Sequence, residues 1–405
     1  FKAIIRGIRD ELHARGVMKR GVCGLHAVDD ELEIQAELRG PAQGYSGKYI
    51  DDMSKQVLKD SLVQEARAKE LLYFNSKGVW RKRPRPEAFQ KTGRPPITVR
   101  WVDVNKGDEL NPKYRSRLVA RQLKATDKSN ATYFAPTPPL ESLRSILTFA
   151  SSNIGSWKTC RDKNAEDRTQ ILIIDIARAY FNAKIDEGQH AYVAFLAEDP
   201  DSGVLCAELL RHMYGTRAAA DGWQEEYSST LVSALGFSQG ESCPCVFRHE
   251  ERGIVLNVHG DDFTATGSKR ALDWFEATMR EQYELTTQPR LGPGDADAKE
   301  GVILNRIIRW TEQGLEYEAD PRQAEKLIAE CGLGESNTCA TPGVRASFAE
   351  LENDSPLDPK FHTAYRGAAA RANYLSADRM DVQFAAKEIC RFMPAPTQHS
   401  WQALK

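Results

Sequence analysis

The sequence predicts an α+β fold, and three observations lead to it. An apolar run, Ile171-Leu172-Ile173-Ile174, ends on Asp175. A second run, Ile254-Val255-Leu256-Asn257-Val258, enters His259-Gly260-Asp261-Asp262 and leaves through Phe263-Thr264-Ala265-Thr266. Runs rich in β-branched residues read as strands buried on both faces, and a glycine beside two aspartates is hairpin chemistry. Apolar residues elsewhere recur at helical spacing, as in Leu143, Ile146, Leu147 and Ala150, or Leu272, Phe275, Met279 and Tyr283.

The remaining elements follow in chain order. Residues 1 to 48 show no sustained period and read as a linker or flexible leader. Asp51 to Phe74 reads as a helix through Val57, Leu58, Leu62, Ala66, Leu71 and Leu72. Arg81-Lys82-Arg83-Pro84-Arg85-Pro86 then excludes a helix and predicts a basic extended stretch. Strands follow at Val99 to Val104 and Tyr114 to Gln122, with turn residues between them. In the second strand Arg115, Arg117 and Arg121 share one face, a poor core and a good phosphate rail. A helix over Leu140 to Ala150 precedes the first apolar run. After the hairpin, Ser268 caps the helix that carries Phe275, Asp320-Pro321 opens another closed by Gly332, and a helical stretch runs from Tyr365 to Met393.

Bulk properties bound the possibilities. A chain of 405 residues exceeds one ordinary core and predicts roughly two to four units. The hydrophobic share of 41% and charged share of 28% fit a soluble globular protein. No apolar run approaches the roughly 20 residues of a bilayer span, and no signal-peptide layout opens the chain. It begins with Phe1 rather than Met, as expected of a piece excised from something larger. Eight cysteines without disulfide rhythm point to a reducing intracellular compartment. Cys243-Pro244-Cys245 with His249 lacks zinc-knuckle spacing. The net charge of -2 hides an asymmetry: Lys77 to Lys128 holds 15 Lys/Arg against 5 acids, a local excess of ten. Such a block is an electrostatic footprint for phosphate.

Asp175 at the exit of one buried strand and Asp261-Asp262 at a hairpin tip are carboxylates without lysines beside them. Crowded like charges are costly unless a cation neutralises them, and hard oxygen donors left partly open suit Mg²⁺. Two such ions, roughly 3.5–4 Å apart, can activate a hydroxyl and stabilise a leaving pyrophosphate. Adjacent strand residues point to opposite sides, so Asp261 is given direct metal contact with Asp175 and Asp262 a supporting role.

Several segments resemble one family. Asp175-Ile176-Ala177-Arg178-Ala179-Tyr180-Phe181 is similar to the first catalytic motif of reverse transcriptases, an Asp followed five residues on by an aromatic steric gate. His259-Gly260-Asp261-Asp262 resembles their Tyr-x-Asp-Asp box, and Met213-Tyr214-Gly215-Thr216-Arg217 through Trp223 resembles a copia-type segment. Arg117-Leu118-Val119-Ala120-Arg121 is similar to the fingers motif, and Phe134-Ala135-Pro136-Thr137 to Phe-Ala-Pro-Val. Tyr365-Arg366-Gly367, Tyr374-Leu375-Ser376 and Arg391-Phe392-Met393 resemble the connection before ribonuclease H. The resemblance runs from about residue 50 to 405 and is to copia-type retrotransposon reverse transcriptases.

The resemblance implies a right-hand polymerase: fingers, palm and thumb over 49–345 with an antiparallel palm sheet, then a helical connection over 346–405 leading to ribonuclease H. It implies an RNA-directed DNA polymerase joining dNTPs to a primer 3′ end with two Mg²⁺ ions, or Mn²⁺. The implied metal ligands are Asp175, Asp261, Asp262 and the Ile176 main chain. Tyr180, Ile176 and Ala179 would receive the nucleotide, Tyr180 excluding the 2′-hydroxyl, and Arg115 or Arg117 would hold its triphosphate. Implied partners are an RNA template and a DNA or tRNA primer, within a polyprotein having integrase upstream, in a cytoplasmic virus-like particle and without a membrane. His259, Gly260, Ala218 and Asn305 depart from the family pattern. Three competing readings are a decayed copy kept as a nucleic-acid-binding scaffold, an RNA-making palm and a metal-dependent nuclease. Intact aspartates oppose the first, Tyr180 the second, and the lack of a further acidic cluster the third.

Overall fold

The computed structural model describes residues 46–123, 133–151, 167–196, 199–336 and 347–405. They divide into two compact units, one reaching Asp295 and the other running from Ala296 to Lys405. Most of the expected leader over 1–48 lies outside the described residues, as does part of the basic block, from 124 to 128. Helices and sheets are mixed, and among the described residues each pairing between the strands of the four sheets is antiparallel.

The first unit opens with α1 (Asp60–Ser76), β1 (Trp80–Pro84) and α2 (Arg85–Thr92). A hairpin, β2 (Val99–Asn105) and β3 (Tyr114–Ala120), precedes α3 (Leu140–Ser151) and β4 (Thr169–Ile176). Next come β5 (Tyr192–Ala194), β6 (Leu205–Leu209), α4 (Ala219–Ser229), β7 (Ser238–Gln239) and β8 (Val246–His249). The unit closes with β9 (Ile254–His259), β10 (Asp262–Ser268), α5 (Lys269–Gln282) and β11 (Leu285–Thr287).

Six of these strands form the main sheet, in the order β11-β4-β10-β9-β8-β7. Period-two alternation sends Leu172, Ile174 and Ile176 to the same core as Leu256, Val258 and Phe263. Trp223 and Tyr227 from α4 and Leu272, Phe275 and Met279 from α5 complete that core. Helix α3 packs on β4, β9 and β10, with Ser142 Oγ 2.9 Å from Asn257 Oδ1. Both faces of the central strands are therefore covered, as their unbroken apolar runs require. The Ser268 hydroxyl accepts from the Ala271 N–H and caps α5 as expected.

Two segments near the start of the first unit differ from the sequence expectation. The first helix begins at Asp60 rather than Asp51. The Asp51 carboxylate accepts from the Met53 and Ser54 N–H groups, at 2.7 and 2.8 Å, and folds that segment into a turn instead. The basic stretch is extended only through Pro84; Pro86 then occupies the first turn of α2. There its missing N–H costs no intrahelical bond.

The second unit begins with a meander, β12 (Glu300–Ile303), β13 (Arg306–Thr311) and β14 (Gly314–Glu318), followed by α6 (Pro321–Glu330). Then come α7 (Phe348–Glu352), α8 (His362–Ser376), α9 (Gln383–Cys390) and α10 (Gln398–Leu404). Leu327, Tyr365, Ala369, Leu375, Ala386 and Ile389 share its core. The helical stretch expected from Tyr365 to Met393 is divided between α8 and α9. Asp378, in the break, takes a buried ion pair from Arg306 at 2.9 Å and a hydrogen bond from the Tyr317 hydroxyl at 2.8 Å. Satisfying that carboxylate holds the chain out of helical register.

Candidate active site

Asp175 is the penultimate residue of β4, and its Cα partner across the ladder is Asp262, the first residue of β10. Only Gly260 and Asp261 join β9 to β10. Gly260 takes φ +67°, the conformation that the first loop position of a II′ hairpin needs. Two bonds hold this tip: the Ile176 N–H donates to the Asp261 carbonyl at 2.9 Å, and the Trp223 indole N–H donates to the Gly260 carbonyl at 2.8 Å.

The carboxylates burden one another. Asp175 stays open to solvent, yet surrounding protein and then the Asp261 charge push its pKa up. Asp262 is more enclosed, and burial, then Asp261, then Asp175 push it up to about 6. Among the described residues none of the three pairs with a cation. Three cations counter Asp175 at longer range: Arg115, Lys106 and Arg117 pull its pKa down. Lys106 lies in the β2–β3 turn, where burial and then Arg115 and Arg117 depress its own pKa.

Arg115 and Arg117 sit on the β3 face opposite the buried Ser116, Leu118 and Ala120. The Arg117 guanidinium lies 5.2 Å from the Tyr214 ring centroid, and its Nε is buried without a hydrogen-bond partner. Beside Tyr214, Gly215 adopts φ +81°, and a Cβ there would stand 2.0 Å from the Ala120 carbonyl oxygen. Glycine thus lets the Tyr214 turn lie against β3, where the Ala120 N–H donates to the Tyr214 carbonyl at 2.8 Å.

Tyr180 belongs to a 3₁₀ turn, Ala179–Asn182, and meets Tyr214 edge-on at 5.4 Å between centroids. Its hydroxyl pKa is raised by burial and then by the Asp261 charge. The Ala179 and Ile176 side chains are buried, and the Ile176 N–H is committed to the Asp261 carbonyl. The structure thus gathers Asp175, Asp261, Asp262, Tyr180, Arg115 and Arg117 in one region of the first unit.

Sequence reasoning missed two participants. Lys106 had no periodic signal, although its place in the turn of an arginine-bearing hairpin pointed to it. Trp223, read as core, is indeed 2% exposed, but its indole N–H also holds the Asp-Asp turn.

Among the described residues no three His, Cys, Asp or Glu side chains form a ready-made metal cage. The donor set still fits a divalent ion such as Mg²⁺, which takes one or two carboxylates and completes its shell with water and phosphate oxygens. The carboxylate oxygens of Asp175 and Asp261, both exposed and without an ion pair among the described residues, are that kind of donor.

The sequence pattern described as "Reverse transcriptase (RNA-dependent DNA polymerase)" matches residues 89–344, more than half of the chain. The chain belongs to this reverse transcriptase family. It is also similar to Retrovirus-related Pol polyproteins from transposons. Identity is 24% over 365 residues with that of transposon RE2 of Arabidopsis thaliana, covering 86% of this chain and 22% of the relative. For transposon RE1 of the same plant it is 23% over 357 residues, with coverages of 86% and 22%. For transposon TNT 1-94 of Nicotiana tabacum it is 21% over 378 residues, with coverages of 88% and 26%. The chain thus spans about a quarter of the length of these Pol polyproteins. Among the described residues no helix is long and apolar enough to cross a membrane.

Proposed function

We propose that the chain is the RNA-directed DNA polymerase of a copia-like retrotransposon, extending a DNA or tRNA primer on an RNA template with dNTPs. One observation carries the reading: the β4–β10 ladder brings Asp175 against the Asp261-Asp262 turn, where none of the three pairs with a cation among the described residues. Lys106, Arg115 and Arg117 act on the Asp175 charge from β3 and its turn. Carboxylates flanked by a basic rail suit a ligand that brings both cations and phosphates.

Asp175 and Asp261 would hold Mg²⁺, or Mn²⁺, with Asp262 and the Ile176 carbonyl in support. When bound, the ions supply Lewis acidity for an attacking 3′-hydroxyl and a departing pyrophosphate. Arg115 and Arg117 bind the triphosphate, and the unpartnered Arg117 Nε is a donor available to it. Lys106 adds a further positive charge from the hairpin turn. Tyr180 forms the wall beneath the sugar, steadied by Tyr214, and excludes a 2′-hydroxyl, while the Ala179 main chain lines the floor.

In this reading 75–165 and 190–240 are fingers, the strands at 171–177 and 254–266 form the palm, 310–345 is a thumb, and 346–405 is the connection. The protein acts within a polyprotein, between integrase and ribonuclease H, in a cytoplasmic virus-like particle. The test is primer extension on an RNA template with and without Mg²⁺, using the unmodified chain and Asp175→Asn. Metal-dependent incorporation lost in the variant is expected. Primer–template binding without incorporation would overturn the enzyme and leave a scaffold.

A further inference from the structure

Arg178 stands between Asp175 and Tyr180 and takes φ +48°, a left-handed conformation costly for a residue with a Cβ. A closed ring of contacts surrounds it. Its Nε donates to Glu70 Oε2 at 2.8 Å, and its guanidinium lies 3.9 Å from the Tyr73 ring centroid. The Tyr73 hydroxyl donates to Glu284 Oε2 at 2.8 Å, and the Glu284 carbonyl accepts from the Ala177 N–H at 2.9 Å. Two residues of α1 and one beside β11 thus grip the turn that follows the Asp175 strand.

Glu70 is 3% exposed, and its Oε1 has no hydrogen-bond partner. A buried carboxylate with one partner is a poor stabiliser; an apolar pair would pack at least as well. What this pair does provide is a fixed backbone. The Arg178 carbonyl accepts from the Phe181 N–H at 2.9 Å, and the next bond of the 3₁₀ turn runs from the Ala183 N–H to the Tyr180 carbonyl at 3.3 Å. The orientation of Tyr180 therefore follows from the conformation of Arg178. Glu70 and Tyr73 precede residues 89–344, so the family match does not include them.

We propose that Arg178, clamped by Glu70 and Tyr73, is a positioning residue that sets Tyr180 relative to the carboxylates and thereby sets discrimination between dNTP and rNTP. The inference rests on the polymerase reading for its nucleotide consequence, and the clamp itself is independent of it.

The experiment uses the full chain and the variants Glu70→Gln and Arg178→Gly. Glycine accepts the left-handed backbone, so the second variant removes the clamp without adding strain. In Mg²⁺-dependent primer extension both should raise the dNTP KM and lower dNTP/rNTP discrimination by about tenfold, with kcat within about twofold of the unmodified chain. Arg178→Lys keeps the charge and should recover part of the discrimination. Amide exchange at Phe181 and Ala183, read without substrate, should quicken by about tenfold in Glu70→Gln. Unchanged KM, discrimination and exchange, with only a lower Tm, would reduce Arg178 to a structural contact. If the unmodified chain incorporates nothing, the polymerase reading and the nucleotide consequence fall together. The exchange rates then still decide the clamp: unchanged exchange sinks it, and faster exchange sustains it.

Discussion

Replacing Asp262 by Asn probes how much unfavourable charge the site holds when no cation is present. Burial and two neighbouring carboxylates carry the Asp262 pKa from 3.8 up to about 6. At about 1.4 kcal/mol per tenfold change in proton affinity, the upper limit is ~3 kcal/mol. The side chain keeps some contact with water, so about 1–2 kcal/mol is the working expectation. The sign follows from the raised value: the unfolded chain ionises first, so this group lowers stability as pH rises from about 4 to about 6. In urea unfolding without divalent metal, Asp262→Asn should match the unmodified protein near pH 4. Near pH 7 it should be more stable by that amount, and the gap should open between those values. Adding Mg²⁺ should stabilise the unmodified protein more than the variant, because a ligand of the native state shifts unfolding by mass action. A variant less stable than the unmodified protein at pH 7 would refute the reasoning, since Asp262 would then be making a net favourable contact.

Three further outcomes are expected. Tyr180→Ala should raise ribonucleotide incorporation, measured in primer extension with mixed pools; unchanged discrimination would leave Tyr180 as packing alone. Trp223→Phe keeps the ring but removes the donor to the Gly260 carbonyl, so stability should fall by about 1 kcal/mol by thermal melting, with a larger loss in kcat than in KM. Converting Arg115 and Arg117 together to Ala should raise the dNTP KM while the salt dependence of primer–template binding persists. A flattened log–log salt slope would move both arginines to the duplex backbone.

Much of the fold was legible because its cues are local. The runs at 171–174 and 254–258 announced β4 and β9, and helical spacing announced α3 and α5 with their buried residues. What escaped depended on distant partners. Nothing near Asp378 signals that Arg306 will capture it and divide a helix. Asp51 reads as helical until its carboxylate turns back on Met53 and Ser54. At the site, the aspartates were conspicuous as charges at the ends of apolar strands. Lys106, Glu70 and Tyr73 were ordinary surface residues by sequence, and only folding brings them beside Asp175 and Arg178.

The ladder between β4 and β10 also fixes when the site can come into being. Its two halves lie at residues 169–176 and 262–268, so a ribosome must make the whole intervening chain before Asp175 can meet Asp261. At roughly 5–20 residues per second that interval is on the order of 5–20 s. Throughout it, Ile171 to Ile174 has neither of its eventual ladder neighbours, β10 and β11. An apolar strand with two open edges invites pairing with another chain.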